Sequence, residues 1–328
     1  MLSFLIVLIG LSVLILVHEL GHFWAAKWFG VGVEEFGIGF PPKIWAKKIG
    51  ETIYSLNWIF LGGFVKLYGE FGDAGPKSFV TQAAGKKIIV IVAGVLMNFI
   101  AGWLIMSAVF WLGAPPVIMI SQVLPGSPAA VAGLKSGDLV LGYQGPDKLV
   151  EFVNSNRGKE IEIKVQRRSD TLNFKVTPRL ETPPGEGALG IALQGGGLPR
   201  QGFLLGLSQG LINSAAIVGA IFSGLYQIVL APENIVGPVG IFDIAVSTGQ
   251  IGWVYVLQLL ALISLNLAVL NILPIPALDG GRLLFIIIEK IRGRAFTPYF
   301  ETKANTFGFA FLITLIVIVT LKDIASLL

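Results

Sequence analysis

The feature that most restricts the fold of this chain is a set of long apolar runs that carry almost no charge. Four runs qualify well as membrane-spanning helices, at residues 2–24, 88–112, 253–273 and 307–321. A helix that crosses the hydrocarbon core of a bilayer needs roughly 20 mostly apolar residues. Because backbone polar groups in lipid must be satisfied within the segment, such runs predict helices. We therefore expect an α-helical polytopic membrane protein with four transmembrane helices.

Composition supports this class and excludes others. Charged residues make up 13% of the 328 residues, whereas a soluble domain averages roughly 25%. The chain has no cysteine, which excludes disulfides and thiolate metal sites. No nucleic-acid-binding motif is present. The first apolar run lacks a basic leader and a small-residue cleavage site, so we expect a retained span and not a signal peptide.

A soluble domain is expected between the second and third spans. Alternating apolar and polar residues at 160–166 and 171–177 are typical of half-buried strands. Pro183, Pro184 and the glycines 195–197 are expected to form the exit linker of this domain. The expected organisation is a first membrane part, the inserted α/β domain, an interfacial helix with a linker, and the last two spans, at residues 1–114, 115–197, 198–252 and 253–328.

The segment between the first and second spans contains a predicted β-hairpin. Two β-prone runs within residues 51–70 flank the sequence Leu61-Gly62-Gly63. A glycine pair between such runs predicts a hairpin whose turn lies at the glycines. The apolar residues Trp58 and Phe64 favour a hairpin that touches or enters the membrane. An ordinary surface hairpin is the alternative.

The first span ends in the motif His18-Glu19-Leu20-Gly21-His22. Residues four apart share one face of a helix, so both imidazoles can bind one ion. A glutamate beside that ion can take a proton from its bound water, whose pKa zinc lowers to about 7. These are the only two histidines of the chain. The alternative is a pair of histidines that cap a helix at the level of the lipid headgroups.

A third zinc ligand has to come from Asp or Glu, since a catalytic zinc has three protein ligands and the chain offers no further His or Cys. Asp279 is the best candidate because it directly follows the third span. Pro274 and Pro276 end the helix there, and the glycines 280–281 allow a tight turn. On spacing alone, Asp279 could instead be a solvated acid that begins a cytoplasmic loop.

Together, His18-Glu19-x-x-His22 and Asn271-x-x-Pro-x-Pro-x-Leu-Asp279-Gly280 resemble the site-2 protease family of intramembrane zinc proteases, with the closest likeness to the bacterial RseP-type enzymes. The resemblance covers nearly the whole chain. It includes the second-span motif Ala93-Gly94-x-x-x-Asn98-Phe99 and the sequence Gly237-Pro238-Val239-Gly240-Ile241. It implies a Zn²⁺ cofactor bound by His18, His22 and Asp279, with Glu19 as the catalytic residue.

The resemblance also implies residues that bind the substrate. Asn266 and Asn271 match family positions that hold the substrate backbone, although hydrogen bonding between helices is an equal alternative. Gly62, Gly63 and Phe64 match a membrane-associated hairpin that pairs with an unwound substrate as an added strand. The implied substrates are single-span membrane proteins, such as anti-sigma factors or signal-peptide remnants, cut in regulated intramembrane proteolysis.

The inserted domain resembles a bacterial PDZ domain. The sequence from Val123 to Asp138, VLPGSPAAVAGLKSGD, carries the likeness. A short helix is expected after Pro128, and a strand from Leu139 to Tyr143. Grooves of this kind often capture chain ends by strand addition. A size-filter role, which admits only substrates already trimmed outside the membrane, is an equal possibility.

The distribution of Lys and Arg predicts the orientation. These residues mark cytoplasmic sides in short loops, and they are concentrated after the first span and before the last, whereas the tails carry only Lys322. We therefore expect a multi-pass protein of the cell inner membrane with both termini and the PDZ-like domain outside. The zinc site is expected to lie toward the cytoplasm.

A fifth apolar run, residues 203–230, is long enough to span the membrane. If it crossed, however, Asp279 would emerge on the face opposite His22 and could not join the site. Its polar residues also fall in a narrow stripe formed by Gln209, Asn213, Ser223 and Gln227. We therefore predict an amphipathic helix along the outer membrane surface.

Two rival functions come from other classes. A metal transporter or channel would need polar residues along several spans, and the spans outside the motif hold few ionisable groups. An inactive scaffold that only presents the PDZ-like domain would be expected to lack Glu19 or a metal ligand, and none is missing. The sequence therefore favours a membrane-embedded zinc protease.

Overall fold

A computed structural model describes residues 2–70, 72, 75–167, 170–183, 185–230 and 237–327. The helices are α1 Leu2–Trp28, α2 Ala84–Leu112, α3 Pro128–Ala132, α4 Pro146–Ser155, α5 Phe203–Leu230, α6 Pro238–Ile251, α7 Trp253–Ile272, α8 Asp279–Arg292 and α9 Pro298–Leu327. The strands are β1 Val33–Ile49, β2 Thr52–Leu67, β3 Ala114–Val123, β4 Leu139–Val140, β5 Ile161–Arg167, β6 Asp170–Val176 and β7 Ile191–Leu198.

The chain divides into two compact units. The first comprises Met1–Ala108, Leu207–Ala245 and Val256–Leu328, and the second comprises Val109–Gly206 and Val246–Tyr255. The first unit contains most of the long apolar helices and the hairpin. The second contains a five-stranded sheet with two short helices.

Within the described residues, five helices are long and apolar enough to cross a membrane, as expected of a polytopic membrane protein. They span Phe4–Trp28, Ala84–Leu112, Phe203–Leu225, Trp253–Ile272 and Tyr299–Ala325. Each of the four predicted spans lies wholly or mostly within one of these helices. By length and composition α5 qualifies as well, so its location on the membrane surface stays a prediction. The side chain of Gln227, a member of the predicted polar stripe, lies outside the described part of the chain.

Helices α1 and α7 run in the same direction in the first unit. Gly10 of α1 lies beside Leu260, where an added Cβ would be only 2.5 Å from a leucine methyl carbon. Eight residues further along α1, His18 lies 3.5 Å from the side chain of Asn271. Small residues allow membrane helices to approach closely. The C-terminal third of α1 therefore lies beside the end of α7.

Helix α2 runs antiparallel to α1. His22 contacts the backbone of Val90 and His18 contacts Asn98, so rising numbers on α2 match falling numbers on α1. Gly21 makes this approach possible, because a Cβ there would overlap the backbone carbonyl of Ala93. The predicted metal-binding motif of α1 thus lies against α2 and α7.

The hairpin is present, and the chain also reverses between residues 56 and 63, close to the predicted turn, because 53–56 pair with 35–38 in the same order and 63–66 pair with them in the reverse order. Strands β1 and β2 are antiparallel and are joined at Gly50, which has φ +62°. Gly62 and Gly63 lie inside β2 and contact Ile15 and Leu16 of α1. These glycines also permit close approach to a helix, which the sequence pattern does not predict. Within the sheet, residues 35–38 of β1 pair with both 53–56 and 63–66 of β2.

The second unit is built on a sheet with strand order β6-β5-β4-β3-β7. Its core contains fully buried residues such as Ile118, Ile163 and Leu149. The predicted exit linker is wrong for the glycines 195–197, which lie in β7 and pair with β3. Of the other predicted linker residues, Pro183 lies in the loop between β6 and β7, and Pro184 lies outside the described residues. Glycine-rich sequence predicts a break in regular structure, yet here it forms an edge strand.

Two further helices differ from the predictions. The segment after α5 was expected to be a linker, but α6 begins at Pro238. Its first turn is stabilised by another helix, since the backbone N–H of Gly240 donates to Asp323 Oδ2 of α9 at 2.8 Å. Helix α8 occupies the predicted cytoplasmic loop and begins at Asp279. The strand predicted from Leu139 to Tyr143 is limited to Leu139–Val140.

Candidate metal centre

Three side chains from distant parts of the chain meet at one point of the first unit. His18 Nε2 lies 2.8 Å from Asp279 Oδ2, and His22 Nε2 lies 3.2 Å from the same oxygen. The two Nε2 atoms are 3.1 Å apart. Both histidines are buried and Asp279 is nearly so. Among the described residues, these three form the one group of His, Cys, Asp or Glu that could hold a metal ion.

The histidines are oriented by the helical repeat and by α2. A spacing of four residues places their rings on one face of α1. His22 Nδ1 donates a hydrogen bond of 2.8 Å to the backbone oxygen of Val90. That bond leaves Nε2 with its lone pair directed at Asp279 and His18, as a metal ligand requires.

Asp279 is placed by an irregular loop between α7 and α8. Ala277 has the left-handed φ of +77°, which costs a residue with a Cβ free energy and recurs at functional sites. The loop is held from outside, because the backbone N–H of Ala277 donates to Asn305 Oδ1 of α9 at 3.0 Å. A Cβ on Gly308 would overlap the backbone of Pro276. Helix α9 therefore supports the loop that carries Asp279.

The charge of Asp279 also suits a ligand. Burial by itself would raise the pKa of this carboxyl, but the adjacent His22 and His18 hold its pKa well below the usual range. Asp279 also lies in the first turn of α8, where the helix dipole stabilises a negative charge. The carboxylate is the form of this side chain that binds metal.

The donor set fits zinc. Ligands about 2.0–2.1 Å from a tetrahedral zinc lie about 3.3 Å from one another. The three atoms here are separated by 2.8–3.2 Å, so a small outward shift accommodates the ion. Two imidazoles and one carboxylate, with a fourth position left for water or substrate, are the pattern of a catalytic site rather than a structural one.

Glu19 lies next to this group. Its Oε2 accepts a hydrogen bond of 3.0 Å from the backbone N–H of Val65 in β2. It lines a cavity of about 510 Å³ together with His22, Asp279 and Phe64. At the rim of the cavity Arg282 forms an ion pair with Glu70. A carboxylate in this position can exchange protons with a molecule bound in the cavity.

The predicted substrate-binding residues fall into two groups. Phe64 lines the cavity, and Asn271 lies 3.5 Å from His18 Nε2. Gly62 and Gly63 contact α1 one turn before the histidines. Asn266, by contrast, lies on an exposed face of α7. Five residues of helix rotate it by about 140° from Asn271, so the structure does not bring these two asparagines to one site.

Several residues at the site carry no role in the sequence prediction. Asn98 and Gly94 belong to the quoted second-span motif, and both contact the histidines. Asn305 and the backbone oxygen of Val90 have no sequence signal of their own. Contacts of this kind depend on which helix faces are adjacent, and that is a property of the tertiary fold.

Gly94 is the position where a small change should disturb the metal centre most. A Cβ at this residue would overlap the ring of His22 and lie 2.9 Å from Cε1 of His18. Overpacking of this kind costs about 1–3 kcal/mol, and here the ligands bear the strain. We expect Gly94→Ala to weaken zinc binding about tenfold, measured by chelator competition. Gly85→Ala, in the same helix with open space around it, is the matched control and should bind zinc normally.

Comparison with known proteins gives a consistent result. The model of peptidase family M50 matches residues 6–315. A protein of Clostridium perfringens that is named as a zinc metalloprotease is 33% identical, over 97% of this chain and 97% of that protein. A protein of Nostoc with the same kind of name is 33% identical, over 97% of this chain and 94% of that protein. The regulator of sigma-W protease RasP of Bacillus subtilis is 29% identical over 96% of each.

Proposed function

Because this chain belongs to peptidase family M50 and is a site-2 type zinc metalloprotease with Zn²⁺ as its cofactor, we propose that it cleaves single-span membrane proteins within or beside their spans. Anti-sigma factors and signal-peptide remnants are the substrate classes we favour. The name of the Bacillus subtilis relative connects that protein with the regulation of a sigma factor.

One observation carries this proposal. His18, Glu19 and His22 lie inside a candidate span, Phe4–Trp28, and Asp279 reaches them from the end of another, Trp253–Ile272. The atoms proposed to bind the metal therefore lie within one candidate span and at the end of another. A protease that acts on soluble chains has no need to bury its ligands in this way, since charged and polar groups within spans are costly and mark function.

The proposed roles follow from the geometry. His18, His22 and Asp279 would hold the ion, which when bound supplies a Lewis acid for the scissile carbonyl and acidifies water. Glu19 takes the proton of the attacking water and later delivers it to the leaving amine. The hydrogen bond from Val65 fixes one carboxylate oxygen of Glu19, so the other is free to face the cavity.

The edge of β2 gives the substrate a place to bind. Val65 directs its N–H away from β1 toward Glu19, and alternate residues of a strand expose their polar groups on the same edge. Gly63 therefore presents its N–H and C=O beside α1. An unwound substrate that adds to this edge would bring its backbone to Glu19. Asn271, at the end of α7, is proposed to bind the same backbone.

The position of α6 supports the prediction that α5 lies along the outer membrane surface. Gly237 packs against Val319 and Asp323 near the C-terminal end of α9, the end we place outside. Seven steps of chain from Leu230 to Gly237 span at most about 25 Å, which is less than the roughly 30 Å of a hydrocarbon core. If α5 crossed completely, the chain could not return to Gly237.

The orientation is tested by labelling, which is simple because the chain has no cysteine. We expect cysteines placed at Leu204 and Ser223 to react with an impermeant maleimide from outside the cell. A cysteine at Lys290 should react only from the cytoplasmic side. Labelling of position 223 from the cytoplasm alone would show that α5 crosses the membrane.

The second unit is proposed to be the PDZ-like domain, outside the membrane. Strand β7 is an edge of its sheet, and a groove of about 260 Å³ lies between β7 and α4, lined by Leu149, Val153 and Leu193. An apolar groove beside an edge strand suits strand addition by a chain end. Steric exclusion of bulky substrates is compatible with the same placement.

The experiment that tests the proposed function uses the purified protein and a single-span substrate in liposomes. We expect cleavage that a zinc chelator abolishes and that added Zn²⁺ restores. A panel of single-span substrates that stays intact with the zinc-loaded protein would contradict the proposal.

A further inference from the structure

Asn98 of α2 is fully buried and lies on the side of His18 that faces away from Asp279. Its side-chain nitrogen is 3.2 Å from His18 Nδ1. Its side-chain oxygen is also buried and has no hydrogen-bond partner among the described residues. The backbone of Asn98 is fixed by α7, because Ser264 Oγ donates to its carbonyl oxygen at 2.7 Å. A buried amide with an unsatisfied oxygen is costly and calls for an explanation.

The tautomer of His18 explains the unsatisfied oxygen of Asn98. With its proton on Nε2, the ring donates to Asp279 Oδ2 at 2.8 Å and accepts from the Asn98 nitrogen. A ring that binds a metal through Nε2 carries its proton on Nδ1 instead. The nitrogen of Asn98 and the Nδ1–H of His18 would then face each other as two donors. Rotation of the amide by 180° pairs its oxygen with Nδ1–H and moves the amide nitrogen to the buried position that the oxygen held.

His22 shows the same arrangement with a backbone acceptor. Its Nδ1 donates to the carbonyl oxygen of Val90 at 2.8 Å. Histidines that bind metal usually donate their second ring nitrogen to an oxygen, which fixes the ring and increases its basicity. Helix α2 thus faces both rings, with Val90 opposite His22 and Asn98 opposite His18.

We propose that Asn98 is a positioning residue for His18, and that its side-chain oxygen accepts the Nδ1–H of His18 when Nε2 holds zinc. This inference rests on the proposed function, since it takes His18 as a zinc ligand. Asn suits the position because its amide can pair with either tautomer of the ring. A leucine of similar size could pair with neither.

The first test measures zinc affinity of the full-length protein in detergent by chelator competition. We expect Asn98→Leu to weaken zinc binding by about 10- to 100-fold, the usual effect of losing such a partner. Asn98→Asp keeps an acceptor oxygen and should restore most of that affinity. Ser107→Ala, a change at another buried residue of α2, is the control and should bind zinc as the unmodified protein does.

The second test uses the fact that the chain has only two histidines. In zinc-loaded protein labelled with ¹⁵N-histidine, we expect two protected Nδ1–H signals in the NMR spectrum. Asn98→Leu should shift one of them and speed its exchange with solvent, and it should leave the other, which Val90 accepts, unchanged. The unaffected signal also reports that the variant is folded.

The inference is overturned if Asn98→Leu binds zinc as tightly as the unmodified protein, or if Asn98→Asp is as impaired as Asn98→Leu. It is also overturned if neither Nδ1–H signal responds to the leucine. A failure of the proposed ligands looks different, because His18→Ala would then retain zinc. Loss of zinc in His18→Ala together with normal binding by Asn98→Leu would refute the role of Asn98 alone.

Discussion

Glu19→Gln is expected to leave zinc bound and to slow cleavage of a single-span substrate by about 10²- to 10⁴-fold, the range that general acid–base catalysis contributes. Glutamine has the shape of glutamate, and its amide oxygen can still accept the hydrogen bond that Val65 donates to Glu19. It cannot accept a proton from water. The hairpin and the metal centre should therefore persist while the chemical step fails.

Two measurements on the same preparation check this prediction. Cleavage rates are compared in liposomes, and zinc content is determined by mass spectrometry of the metal. Glu34→Gln is the matched control, because Glu34 is an acid of β1 paired with Lys66 at 2.6 Å and does not line the cavity. A Glu19→Gln protein that cuts at the normal rate would show that another group moves the proton.

Asp279→Ala should abolish both zinc binding and cleavage. It removes one of three proposed ligand atoms that lie within 3.2 Å of one another and leaves only the two imidazoles of that set. Loss of a residue that hydrogen-bonds a metal ligand weakens metal binding by about 10- to 100-fold. Loss of a ligand itself should therefore weaken metal binding by more than about 100-fold. Chelator competition gives the affinity.

The control for this change is Asp147→Ala, which removes an acid from the first turn of α4 in the second unit. That variant should bind zinc and cut normally. If Asp279→Ala retained zinc at normal affinity, the carboxylate ligand would have to be another residue, and Glu19 would be the first candidate.

Local patterns allowed much of this site to be predicted. The ligand spacing in His18 and His22 follows from the helical repeat, and the break after α7 follows from Pro274 and Pro276. The zinc cofactor and the protease class, inferred from these motifs together, are confirmed by the family match. The ligand roles of His18, His22 and Asp279 stay predictions, although the structure brings the three together.

The features that sequence did not predict depend on tertiary contacts. The sequence predicts a turn at Gly62 and Gly63, but not that these glycines also allow β2 to approach α1. The sequence predicts a linker at the glycines 195–197, whereas they form part of β7. Glycine has the same sequence signal whether the chain turns or another segment comes close. The contact between Asn98 and His18 likewise depends on how α1 and α2 face each other.

The most direct test of an intramembrane protease is the position of its cut. The zinc-loaded protein and its Glu19→Gln variant are each incubated with a single-span substrate in liposomes, and the products are mapped by mass spectrometry. We expect cuts within or immediately beside the span, produced only by the unmodified protein. Cuts confined to the soluble segments of the substrate, or equal products from both proteins, would contradict the proposed function.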